Sequence, residues 1–170
     1  MKKNWLKTCA LAAALVAYTS TPANATVWTL GTSMDPIQAG VPGTGSGTAM
    51  FTLDDATGIV TLLSGSFSGL SGNTTVAHIH GYSGPGMNSS PVVDLTIDLG
   101  VMSGNIISAA MTPVNSASML SGLTYVNVHT STFPGGEIRG QLTVVPEPAS
   151  LSLLGIGGLA LFSRRLLRRC

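Results

Sequence analysis

The three histidines of this 170-residue chain fall in two short segments, Ala77-His78-Ile79-His80-Gly81 and Tyr125-Val126-Asn127-Val128-His129-Thr130; the second leads on to Gly135-Gly136-Glu137-Ile138-Arg139-Gly140. These are the residues whose types and spacing could do chemistry. Alternate side chains of a β-strand share a face, so His78 and His80 in an extended segment stand about 7 Å apart along the chain, within reach of one ion. The same parity groups Tyr125, Asn127 and His129. If the two strands are neighbours, His78, His80 and His129 form one cluster, a ligand set used by copper and zinc sites. The plainer alternative is polar packing on a half-exposed strand face, with hydrogen bonds from His78 and His80 to Asn127 or Glu137. Arg139 is expected to pair with a carboxylate such as Glu137, two residues away on the same strand face.

Strands must position these residues, and the surrounding pattern supplies them. Gly, Ser and Thr dominate Thr26 to Val144, where apolar residues come in short runs rather than at helical spacing. The predicted strands are Val27 to Gly31, Gly47 to Leu53, Gly58 to Ser66, Thr75 to His80, Val92 to Leu99, Asn105 to Met111, Thr124 to His129 and Glu137 to Val144. Ala39 to Gly47 and Gly81 to Pro91 read as loops, and Ser116 to Ser121 as a single helical turn. Between Leu53 and Ile59 the chain predicts a hairpin turn, with an Asp side chain accepting hydrogen bonds and Gly58 supplying positive φ. This favours a turn over a calcium site at Asp54 and Asp55. With so little helix the fold class is all-β, an antiparallel sandwich or barrel.

Both ends of the chain differ from its middle. Lys2, Lys3 and Lys7 precede an apolar stretch that closes on Ala23-Asn24-Ala25, the pattern of a signal peptide over residues 1–25 cut by signal peptidase. At the other end Val145-Pro146-Glu147-Pro148 is followed by the apolar run Leu151 to Phe162 and by four arginines. That run is short of the ~20 residues that span a bilayer comfortably, and the basic tail suits a cytoplasmic end. Its order of parts resembles the PEP-CTERM sorting signal. The resemblance implies an exosortase as processing partner, transient or permanent inner-membrane anchoring through a hydrophobic helix within 145–170, and export to the periplasm, surface or matrix of a Gram-negative-type bacterium.

Between the ends, Arg139 stands alone against Asp35, Asp54, Asp55, Asp94, Asp98 and Glu137, leaving about five net negative charges. An acidic surface disfavours nucleic acid as a partner. The two cysteines, Cys9 and Cys170, lie in the terminal segments, so the domain of residues 26–144 has no disulfide framework. No Gly-x-Ser-x-Gly elbow or phosphate-binding glycine loop is present, and those enzyme classes drop out.

The A-H-I-H-G segment, Gly58-Ile59-Val60 to Ser66-Phe67-Ser68-Gly69-Leu70, and the closing Y-V-N-V-H-T and P-G-G-E-I-R-G-Q-L segments resemble the chordin-type (CHRD) domain. This implies an antiparallel Greek-key sandwich and an extracellular domain of undefined role; the expected activity is undefined and non-enzymatic, in the envelope or exopolysaccharide matrix. A more distant resemblance is to Cu/Zn superoxide dismutase, which implies copper-ligand places for His78, His80 and His129 and an anion-guiding place for Arg139. The fourth, bridging histidine, the zinc ligand set and the disulfide cysteines of that family are missing. What survives, as the alternative function, is an extracellular metal-binding protein with a mononuclear three-histidine site for copper or zinc and weak redox activity.

Overall fold

Alternation of buried and exposed side chains builds the strands, and the register between them builds the site. The computed structural model describes residues 25–146. Ala23 and most of the expected signal segment lie outside these, as do Glu147, Pro148, the expected hydrophobic helix and the arginine tail. In chain order the elements are β1 (Val27–Met34), α1 (Pro36–Ala39), β2 (Ser46–Asp54), β3 (Val60–Ser68), β4 (Thr74–Gly81), β5 (Pro91–Ile97), β6 (Gly104–Ala109), α2 (Ser116–Leu120), β7 (Thr124–Thr130), β8 (Ile138–Gln141) and β9 (Thr143–Val144). Along β2, Ala49, Phe51 and Leu53 are buried, and along β5 Val93, Leu95 and Ile97 are. Their intervening neighbours face outward, as a half-buried sheet requires.

The strands run β8-β7-β4-β5-β6-β3-β2-β1-β9, and every pairing is antiparallel. Within this order β7-β4-β5-β6 is a Greek key, three consecutive strands with a fourth returning beside the first. The sheet nearly closes on itself. Strand β9 pairs with β1, and Asp35 bridges Arg139 through backbone hydrogen bonds of 3.0 and 3.1 Å. Leu30, Phe51, Ile79, Val126, Val128 and Ile138 fill the space between the layers.

The expected strands are all present, with shifted ends. One prediction divides: the closing strand, expected to run unbroken to Val144, becomes β8 and β9 separated by the buried Leu142. The chain there ends its pairing with β7 at Gln141 and takes up pairing with β1 at Thr143 and Val144. The predicted turn forms as expected, Asp54 Oδ1 accepting from the backbone N–H of Ala56 and Thr57 at 3.0 Å and Gly58 adopting φ 71°. Helix α1 was not predicted. It is built by an Asp35 N-cap accepting from Gln38 N, by Pro36 in the first turn, and by Gly40 at the end.

All seven residues of β7 are buried. Val126 and Val128 face the core, which leaves Tyr125, Asn127 and His129 on the opposite face. Two loops cover that face, Tyr82 to Ser90 before β5 and Ser131 to Glu137 before β8.

Candidate metal centre

Register sets out the site in rows. Asp94 of β5, His78 of β4, Asn127 of β7 and Arg139 of β8 are successive partners across four strands, with His80, Tyr125 and Gln141 in the next row. His129 pairs with Val76 beside a bulge in β4. The three histidines of the sequence do meet: one ring nitrogen from each lies within 4.8 Å of the others.

Hydrogen bonds decide which nitrogens those are. His80 Nδ1 is 2.7 Å from the Ser89 carbonyl, which can only accept, so Nδ1 carries the proton and Nε2 the lone pair. That Nε2 is buried and has no hydrogen-bond partner. His129 Nδ1 is 2.8 Å from the Pro134 carbonyl, which fixes the same tautomer and turns its Nε2 lone pair inward. His78 presents Nδ1, 3.4 Å from His129 Nε2, while its Nε2 faces Asp94 Oδ1 at 3.6 Å. Carbonyl or carboxylate partners behind each ring, with lone pairs converging in front, are what metal-ligating imidazoles use to set tautomer and orientation.

Burial, with neighbouring charge, favours the neutral form of two of the rings. Burial lowers the pKa of His80 below its ordinary value, opposed by the Ser89 hydrogen bond and aided by His129, His78 and Arg139. Burial also lowers that of His78, with His129 adding to the effect and Asp94 opposing it. The neutral imidazole is the form that offers a lone pair. Solvent reaches the cluster on the His78 side, where that side chain is 18% exposed and Asp94 81%.

Arg139 and Glu137 stand elsewhere than expected. Glu137, fully buried, accepts from Ser71 N and, at 2.8 Å, from Thr130 Oγ1. The Arg139 guanidinium packs 3.3 Å above the centre of the Tyr125 ring and donates to Asn88 Oδ1 at 3.1 Å and the Met87 carbonyl at 2.6 Å. The two side chains therefore do not pair. Strand β8 begins at Ile138, so the alternation that would align Glu137 with Arg139 does not extend to Glu137. The Arg139 side chain does not face outward: it is 5% exposed and held against the Tyr82 to Ser90 loop. The expected hydrogen bonds from His78 and His80 to Asn127 or Glu137 are also absent among the described residues; Asn127 Nδ2 instead contacts His129 Nε2 at 3.4 Å and Gly135 O at 3.0 Å.

Sequence reasoning missed the groups behind the rings. Ser89 and Pro134 act through backbone carbonyls, which no side-chain type announces. Asp94 was readable as an outward residue of a strand, but only register places it beside His78.

A Greek-key β domain ahead of a C-terminal sorting motif defines the class, a surface-directed protein. Residues 29–142 match the CHRD domain, and residues 144–169 match the PEP-CTERM protein-sorting motif. The chain belongs to the CHRD domain family, and its sorting motif marks it as an exosortase substrate of Gram-negative bacteria. No curated protein and no solved structure matches it. Among the described residues no helix is long and apolar enough to cross a membrane.

Proposed function

We propose that this surface-directed CHRD protein is a binding protein rather than an enzyme, and that it holds one copper or zinc ion between His78 Nδ1, His80 Nε2 and His129 Nε2. The observation that carries this reading is the buried, unpartnered Nε2 of His80, aimed into a cluster where two further ring nitrogens lie within 4.8 Å. Burying such an acceptor without a partner costs roughly 1–3 kcal/mol, and a metal ion would remove that cost. Three neutral nitrogen donors suit copper and zinc, whereas calcium and magnesium require oxygen ligands. Three protein ligands would leave a fourth position for water or an outside group. The sorting motif supports action at the envelope or in the exopolysaccharide matrix.

Titration of the purified exported protein with copper(II) and zinc(II) tests the reading. One equivalent should bind in the micromolar range or tighter, and His129→Ala should weaken binding at least a hundredfold. Absence of binding at a few micromolar, or binding indifferent to His129→Ala, would remove it. Retention on the producing bacterium's own polysaccharide tests the matrix role, and a protein that elutes unretained would count against it.

A further inference from the structure

Arg139 lies outside the three-histidine cluster, yet its contacts all lead to one ligand. Its Nη2 donates to the Met87 carbonyl and its Nη1 to Asn88 Oδ1, the two residues immediately before Ser89. Its guanidinium covers Tyr125, whose hydroxyl accepts from Ser89 N at 3.0 Å. The Tyr125 ring in turn stacks on His80, with ring centres 4.9 Å apart and planes within 9°. Strand order puts Tyr125 of β7 between His80 of β4 and Arg139 of β8. The cation and the imidazole thus flank the same aromatic ring. Both routes end at the Ser89 carbonyl and the plane of His80, and that carbonyl holds the proton on Nδ1.

We propose that Arg139 is a positioning residue that fixes the tautomer of His80: it clamps the Tyr82 to Ser90 loop so that the Ser89 carbonyl keeps the proton on Nδ1 and leaves the Nε2 lone pair facing the cluster. Three features separate this from general packing. The guanidinium uses directional donors on a loop that has no strand pairing of its own. His129 takes its tautomer from Pro134, on the other loop, with no contribution from Arg139. Finally, a neutral histidine freed from such a carbonyl prefers the opposite tautomer, with the proton on Nε2, where it would block the lone pair. The consequence for metal affinity rests on the proposed metal-binding function, but the effect on the tautomer does not.

Nitrogen-15 NMR of the histidine rings in the metal-free full-length protein at pH 7.5 reads the tautomers directly. Wild-type protein should show His80 protonated on Nδ1. Arg139→Met, which keeps much of the side-chain volume and loses the donors, should shift His80 toward the Nε2-protonated form while His129 keeps its wild-type signature. Copper or zinc affinity should fall about tenfold in the same variant, the lower end of the range for outer-shell partners of a metal ligand. Arg139→Lys, retaining one donor and the cation over Tyr125, should restore part of the wild-type tautomer. If Arg139→Met does not fold, Asn88→Ala decides the matter: Asn88 is exposed, and losing its oxygen should move His80 in the same direction by less. A folded Arg139→Met protein with an unchanged His80 signature overturns the proposal, as does an equal shift at His129. A wild-type protein that binds no metal while the variant still shows the His80 shift would remove the metal reading and leave the positioning role standing.

Discussion

Nδ1 of His78 lies 3.4 Å from Nε2 of His129, although the two residues are 51 positions apart in the chain. Pairing between β4 and β7 creates this proximity, and it makes protonation of His78 costlier. His129 lowers the pKa of both His78 and His80, in addition to the larger effect of burial.

Acid should therefore weaken the fold in a defined window. For both histidines the folded-state pKa lies below the ordinary value of 6.5, so below that pH the unfolded chain binds more protons than the folded one. Stability is then fully present above about pH 6.5 and is lost as pH falls toward the folded-state values. Asp35 and Asp55 have pKa values lowered mainly by hydrogen bonds from Gln38 and from Thr26, and their contribution is lost only below about pH 4. Urea midpoints measured on metal-free protein should be level from pH 8 to 7 and decline between pH 6.5 and 5, with a shallower decline in His80→Gln. A level profile down to pH 5 would contradict this.

Much of this arrangement was legible in the chain, and what was not has a physical reason. Strand parity gave the shared faces of His78 with His80 and of Tyr125 with Asn127 and His129, because side-chain alternation is a local property. The resemblance to the CHRD domain, rather than any local pattern, implied the Greek-key sandwich that makes β4 and β7 neighbours. Arg139 was misjudged because its partners are a loop carbonyl and Asn88, 51 residues away. Glu137 was misjudged because its role depends on where β8 begins. The short helix α1 could have been found, since Asp35, Pro36 and Gly40 are in sequence the cap, first-turn and terminating residues that the structure uses.

Glu137 is buried with no cation paired to it among the described residues, and its value to the fold lies in the donors it satisfies. Glu137→Ala would leave Ser71 N–H and the Thr130 hydroxyl without their carboxylate acceptor, at a cost of about 3 kcal/mol. Glu137→Gln keeps an acceptor oxygen and should cost about 1 kcal/mol. Denaturant unfolding of the two variants checks the order, and equal losses would show that burial of the side chain, not its acceptors, matters.

The sorting motif over residues 144–169 implies processing of the C-terminal segment. Pro146 and Pro148 flank Glu147 in that motif and restrict the backbone on either side of it. Substituting both prolines by alanine should leave the segment attached in cells that express the exosortase. Intact mass of the recovered protein reads the outcome: a mass showing normal trimming would rule out recognition through these prolines.

Gly136 precedes the buried Glu137 and holds φ at 118°, a conformation strained for any residue with a side chain. A Cβ there would also meet the Asn127 carboxamide far inside contact distance. Two costs are therefore stacked at one position, backbone strain of roughly 1–3 kcal/mol and displacement of Asn127 from its hydrogen bond to Gly135 O. A double-mutant cycle separates them. Gly136→Ala should destabilise the wild-type protein by about 3 kcal/mol or more and the Asn127→Ala background by at least 1 kcal/mol less, since the clash is gone while the strain remains. The same substitution should disturb His129, because Asn127 Nδ2 contacts its Nε2 and the Pro134 carbonyl that fixes its tautomer lies two residues before Gly136. Equal losses in the two backgrounds would mean that Asn127 yields without cost, and that the glycine is held by φ alone.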